Sequence, residues 1–93
     1  LFPAYPNPFN NAVQIPYRLA EGGRVALRIY DVLGQEVRRV ALGLQAAGYY
    51  YGPGRVVVWD GRDERGRRVG SGLYIYEIQA GGLKAHRKIA LVQ

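Results

Sequence analysis

Few of the 93 residues carry side chains that perform chemistry. Ser71 is the single Ser, His86 is the single His, and the chain has neither Thr nor Cys. A hydrolytic triad would require Ser71, His86 and one of the seven carboxylates to converge. Ser71 lies in Gly70-Ser71-Gly72, which reads as a flexible lead into a strand. His86 lies in the basic stretch 84–88, which reads as a solvated strand. The expectation is a protein that is not an enzyme and has no catalytic residues. The lack of Cys excludes disulfides, thiolate metal sites and Cys nucleophiles. Asp60, Asp63 and Glu64 form the densest acidic cluster, and carboxylates close in sequence can hold calcium. Their stretch, Asp-Gly-Arg-Asp-Glu-Arg-Gly, lacks the alternating carboxylates of a calcium loop and places Arg62 and Arg65 among them. A turn capped by carboxylates is expected, with no metal and no other cofactor.

Two further constellations could bind rather than react. Tyr49-Tyr50-Tyr51 runs into Gly52-Pro53-Gly54 and reads as a loop or hairpin tip. Exposed tyrosines there could stack on a sugar or contact a partner; alternatively, alternate rings cover the end of the core with their hydroxyls wet. The net charge is +6, and 11 of the 13 basic residues are Arg. Arg62, Arg65, Arg67 and Arg68 would be the patch for an anionic surface such as lipopolysaccharide, offset by the neighbouring acids. The remaining basic residues are spread over nearly every segment. With no basic helix and no RNA-binding signature, nucleic acid is not an expected partner.

The elements that must position these groups follow a period of two. Val13, Ile15, Tyr17 and Leu19 share one face of a first strand. Pro16 lies on the other face and removes a ladder donor, which predicts an edge strand. Val25, Leu27 and Ile29 alternate with Ala26, Arg28 and Tyr30. Residues 55–59 are apolar on both faces, which predicts a central strand covered on both sides and ending in a buried Trp59. Tyr74, Tyr76 and Ile78 are expected to face inward and Glu77 outward. Ile89 and Leu91 share one side of the last strand. Asp-x-x-Gly-x-x-Val occurs at Asp31, Gly34 and Val37 and again at Asp63, Gly66 and Val69. Each copy reads as a turn in which Asp accepts backbone N–H bonds and Gly takes positive φ. No stretch holds helical spacing. The pattern predicts an all-β fold, an immunoglobulin-like antiparallel β-sandwich of about seven short strands. Ninety-three residues suit a single domain, 1–93, able to bury roughly 60–68% of its unfolded surface. No apolar run reaches the roughly 20 residues of a membrane-spanning helix, so direct membrane insertion is not expected.

The chain has no Met and starts Leu1-Phe2-Pro3, which is expected of a piece processed or cut from a longer protein. Tyr5-Pro-Asn-Pro-Phe-Asn10 follows, within a leading segment 1–11. Pro fixes φ and pushes the residue before it toward extended geometry. The segment reads either as a rigid entry clamp, pinned to the sandwich by Tyr5 and Phe9, or as an ordinary turn before the first strand.

The order of these motifs carries a resemblance. Tyr5-Pro-Asn-Pro-Phe-Asn10 is followed by Val25-Ala-Leu-Arg-Ile-Tyr-Asp31, Gly34-Gln-Glu-Val37, Ala46-Ala-Gly48 and Trp59-Asp-Gly-Arg-Asp63. Gly66-Arg-Arg-Val69, Ser71-Gly-Leu-Tyr-Ile-Tyr76 and Arg87-Lys-Ile-Ala-Leu91 complete the set. It closely resembles the C-terminal sorting domains of proteins exported by the type IX secretion system. It also resembles the related immunoglobulin-like domain of the flagellar hook-capping protein. The resemblance implies a sorting signal at the end of a larger protein, secreted or held at the cell surface by way of the periplasm and outer membrane. Its implied partners are the type IX translocon, the sorting protease and an N-terminal cargo domain of the same chain, with cleavage upstream. It places the recognised terminal motif on Lys88, Ile89 and Leu91, and it includes the hairpin Gly66, Val69, Ser71, Gly72 and Tyr74. Residues 49–54 stand out as a short insertion to which no family role transfers.

Overall fold

Alternation sets the strands. In the computed structural model, which describes residues 1–92, β1 (Val13–Ile15) and β2 (Tyr17–Leu19) carry Val13, Ile15, Tyr17 and Leu19 into the interior. Pro16 interrupts the two: β1 pairs antiparallel with β6 (Val57–Trp59), and β2 pairs antiparallel with β5 (Gly48–Tyr50). Each of these ladders is two strands wide, so the Pro16 strand is an edge, as its missing donor requires. The facing layer is a four-stranded antiparallel sheet in the order β4 (Glu36–Gln45), β3 (Gly23–Asp31), β7 (Gly72–Ala80), β8 (Leu83–Leu91). Val25, Leu27 and Ile29 of β3, Tyr74, Tyr76 and Ile78 of β7, and Ile89 and Leu91 of β8 face the same core as Val13 to Leu19. The result is an all-β, immunoglobulin-like sandwich, with no helix among the described residues.

Eight strands are present among the described residues rather than about seven, because Pro16 splits one strand into β1 and β2. A second difference concerns residues 55–59. Val57 and Trp59 are buried, but Val58 is 57% exposed. β6 is therefore covered on one face only. It lies in the narrow outer layer, and no third layer exists among the described residues to cover Val58; two apolar faces in sequence do not create a second partner. Trp59 occupies the core, and its ring Nε1–H donates to the Arg62 carbonyl at 3.0 Å.

The two Asp-x-x-Gly turns form as their residue types dictate. Asp31 Oδ1 accepts the backbone N–H groups of Leu33 and Gln35, and the Gly34 N–H donates to the Asp31 carbonyl with Gly34 at φ +83°. Asp63 Oδ1 accepts the N–H groups of Arg65 and Arg67, and Gly66, at φ +79°, donates to the Asp63 carbonyl. Both Gly residues sit in the left-handed region that residues with a Cβ avoid. The first turn joins β3 to β4. The second folds residues 60–69 into a narrow hairpin bridged at Arg62 and Arg68. The Arg67 N–H above all, with the Arg65 N–H and the Arg67 guanidinium, holds the Asp63 carboxyl below the usual carboxylate range.

A depressed native value stabilises the fold above the ordinary Asp pKa of about 3.9, and that contribution disappears as pH falls through the native value. Unfolding free energies measured by denaturant titration between about pH 5 and about pH 2 are expected to fall less steeply for Asp63→Asn than for the parent. Superimposable pH profiles would show that the turn does not depend on the charge.

Candidate functional site

The terminal motif lies on β8, at one edge of the four-stranded sheet. The register places Ile89 opposite Tyr74, Lys88 opposite Ile75 and Leu91 opposite Gly72. Ile89 and Leu91 point into the core and are each 1% exposed, whereas Lys88 is exposed. The three residues therefore do not form one surface. Only Lys88 and the strand's own edge are accessible without disturbing the fold.

That edge is capped over its final residues by the leading segment. Phe9 N–H donates to the Ala90 carbonyl at 2.9 Å, and Val92 N–H donates to the Phe9 carbonyl at 2.8 Å. Asn7 fills the adjoining positions: its Oδ1 accepts the Ala90 N–H, and its Nδ2 donates to the Lys88 carbonyl. Upstream, the same segment runs against β1 in the other layer, where Tyr5 and Gln14 exchange backbone hydrogen bonds of 3.0 and 2.8 Å. Phe9 packs on Trp59 and is buried, as is Ala4. The peptide bonds preceding Pro6 and Pro8 are cis. Residues 1–9 therefore cross from one layer to the other and form part of the sandwich; the segment is a structural staple as much as a spacer.

Tyr76 links this staple to the centre of the fold. It lies on β7 and is fully buried, and its hydroxyl accepts the Ala4 N–H at 2.9 Å and donates to the Phe2 carbonyl at 3.0 Å. Burial pushes the Tyr76 hydroxyl above its ordinary pKa, opposed by the bond from Ala4. Period two identifies Tyr76 as inward, and a buried Tyr hydroxyl needs a partner. Which partner it finds, and the role of Asn7, are not visible in the linear pattern.

Of Tyr49, Tyr50 and Tyr51, only Tyr51 lies outside a strand. Tyr49 and Tyr50 belong to β5, paired through Tyr50 to Tyr17 and through Tyr49 to Arg18, and Tyr51 follows the strand end. Pairing with β2 makes strand of residues that precede a Gly-Pro-Gly turn signal. Tyr50 stacks on Tyr17 at 4.6 Å, with the Arg55 guanidinium 5.0 Å from its ring centroid. Tyr49 stacks on Phe2, and Tyr51 contacts both Phe2 and Tyr5. Arg18 lies 5.6 Å from the Tyr49 ring centroid. Tyr49 and Tyr51 remain more than half exposed, yet their rings are engaged with the leading segment. Tyr49 and Tyr51 thus clamp Phe2 and Tyr5, while Tyr50 packs on Tyr17.

The other sequence candidates disperse. His86 is exposed and pairs across the ladder with Glu77, while Ser71 precedes Gly72, which pairs with Leu91. Five residues of extended strand, about 17 Å, separate the two positions along the sheet. Asp60 Oδ1 accepts the Arg62 N–H, and Glu64 Oε1 accepts the Arg39 N–H. In the Arg patch, Arg62 pairs with Asp60 and donates to the Gly66 carbonyl, Arg67 pairs with Asp63, and Arg68 donates to the Asn10 carbonyl. Three of its four guanidinium groups are committed to the hairpin or the staple. No group of three His, Asp or Glu residues suited to a metal occurs among the described residues.

The pattern of the FlgD Ig-like domain matches residues 11–83. Among solved structures, FlgD from P. aeruginosa is 28% identical, with a TM-score of 0.67 over 87% of this chain and 61% of that one. Latent PorU from Porphyromonas gingivalis is 20% identical, with a TM-score of 0.71 over 97% of this chain and 9% of PorU. PorZ from the same organism, described as an essential surface component of the type IX secretion system, is 20% identical, with a TM-score of 0.65 over 98% of this chain and 11% of PorZ. At 20% identity these last two likenesses concern the fold. The chain thus spans less than two thirds of each of these structures. No curated protein matches it.

Replacing Tyr76 by Phe leaves the Ala4 N–H and the Phe2 carbonyl without their buried partner, a loss of about 1–3 kcal/mol. Chemical denaturation is expected to show this loss, and hydrogen exchange to show faster exchange at Ala4. Unchanged exchange at Ala4 would mean that the staple holds without the latch.

Proposed function

The chain belongs to the family of FlgD Ig-like domains, and from that premise we propose that it is a non-catalytic sorting module of a larger exported protein, read by type IX secretion machinery through its last strand. One observation carries the reading: almost the whole chain, 97–98%, superimposes on about a tenth of PorU and of PorZ, as a small module within a much larger secretion-system protein. The partners in this reading are the type IX translocon, its sorting protease and the cargo domain of the same chain, and the product is secreted or held at the cell surface.

The geometry divides labour within the terminal motif. Ile89 and Leu91 hold β8 in the sandwich, while Lys88 presents the charge that the machinery meets. Recognition of a folded domain therefore acts through Lys88 and the strand edge. Recognition of Ile89 and Leu91 themselves would require β8 to peel away.

A second reading, a structural accessory module such as the family match alone would support, draws on the region matched. Residues 11–83 stop at the start of β8, so the family pattern does not include the terminal motif. In that reading the tyrosine face would be the contact for a sugar or a partner.

The two are separated by fusing residues 1–93 to a reporter in a type IX-competent host. Lys88→Glu is a surface change expected to alter stability by no more than about 0.5 kcal/mol while sharply reducing surface delivery. Ile89→Ala is expected to cost about 2–5 kcal/mol and to reduce delivery in proportion to the unfolded fraction. Full delivery of Lys88→Glu together with a folded Ile89→Ala variant would remove the terminal motif from the mechanism.

A further inference from the structure

The staple covers only half of the β8 edge. Its hydrogen bonds engage Lys88, Ala90 and Val92, which places the even-numbered backbone groups of β8 outward, away from β7. Strand alternation extends that parity to Lys84 and His86. Among the described residues no backbone bridge meets either of them from the outer side. The open stretch is 83–87, and all five residues are exposed.

Its two faces differ in chemistry. Lys84, His86 and Lys88 project on the outer face of the sheet, opposite Gln79, Glu77 and Ile75. Leu83, Ala85 and Arg87 project on the face that carries Ile78 and Tyr76, which is the inner one. They stay exposed there because the second layer is two strands wide and the first is four. Leu83 is 77% exposed in a position that a wider sandwich would bury. Beside it an apolar groove of about 580 Å³ is lined by Leu1, Leu19, Ile78, Leu83 and Ala85, with Arg18, Glu21 and Lys84 as its charged members. β8 itself carries Lys84, His86, Arg87 and Lys88 and no acid.

We propose that residues 83–87 of β8 are a strand-addition site for an extended segment of a partner protein in which acidic and apolar residues alternate. The segment's backbone completes the outward hydrogen bonds of Lys84 and His86. Its acidic side chains meet Lys84, His86 and Lys88 on the outer face, and its apolar side chains extend over Leu83 and Ala85 into the groove. Main-chain pairing supplies affinity, and the two-faced pattern supplies selectivity. Basic edge residues also discourage pairing between copies of the same chain, which leaves the edge to a partner of opposite charge. The inference rests on the sandwich and not on the export reading; of the terminal motif it shares Lys88, while Ile89 and Leu91 lie outside it.

The test uses the whole domain and a synthetic peptide alternating Glu with Val over about six residues, the usual length of a strand. Fluorescence anisotropy is expected to show saturable binding, and amide NMR to show the largest shifts at Lys84 and His86. A peptide with Lys in place of Glu is expected to bind about tenfold more weakly or not at all. His86→Pro removes an outward donor that β7 does not use, so it is expected to abolish binding while the melting temperature stays near that of the parent. Should that variant unfold, the pair Lys84→Glu and Lys88→Glu carries the same expectation through charge. Equal binding of the two peptides, binding unchanged in a folded His86→Pro domain, or no saturable binding would each overturn the proposal. Self-association of a Lys84→Ala, Lys88→Ala domain without peptide binding by the parent would also overturn it, by showing that the edge serves only to repel its own copies.

Discussion

A hydroxyl group deep in the sandwich needs two partners, and the first residues of the chain supply both. Tyr76 stands on β7, next to the sheet's centre, and no water reaches its oxygen. Ala4 donates to it and Phe2 accepts from it, so an irregular leading segment is fixed from the inside. A buried polar atom without partners is costly, and the energetic asymmetry works in both directions. The staple is held because Tyr76 needs it, and Tyr76 is tolerated in the core because the staple is there. Tyr49 and Tyr51 close over Phe2 and Tyr5 of the same segment. One short peptide is thus held between a latch and a lid.

This arrangement solves a problem of unequal layers. Four strands face a layer only two strands wide, so one margin of the wide sheet has nothing opposite it. Over the final residues of β8, Phe9 and Ala4 fill that space and Asn7 satisfies the edge. Over its first residues nothing among the described residues does, and Leu83 and Ala85 face an open groove. The same strand is therefore core at one end and surface at the other. A terminal motif on such a strand is split: its aliphatic members stabilise the domain, and its charged member is presented.

Charge is handled locally. The hairpin 60–69 contains the densest mixture of Arg and acid, and its carboxylates and guanidinium groups mostly satisfy one another or nearby carbonyls. β8, by contrast, carries four basic residues and no acid of its own, with Glu77 of β7 across from His86. Part of the net positive charge of the chain thus lies along a strand edge that is partly free.

The alternation of Val13, Ile15, Tyr17 and Leu19, of Val25, Leu27 and Ile29, and of Tyr74, Tyr76 and Ile78 determined the strands, their inward faces and the all-β class by itself, because side-chain direction in a strand depends only on neighbours in sequence. The two Asp-x-x-Gly turns were legible for the same reason: every hydrogen bond in them spans four residues or fewer. Of the two resemblances that the order of motifs carried, the match over residues 11–83 bears out the FlgD Ig-like domain. Tertiary structure decided what no local rule contains. Val58 is exposed because its layer lies outermost, not because of its neighbours in sequence. Tyr49 and Tyr50 became strand because Tyr17 and Arg18, over thirty residues earlier, pair with them. Asn7, Ala4 and Phe9 acquired their roles from Lys88, Tyr76 and Ala90, more than seventy residues away. Contacts of that span depend on how layers of unequal width meet, and that width is settled only when the whole chain closes on its core.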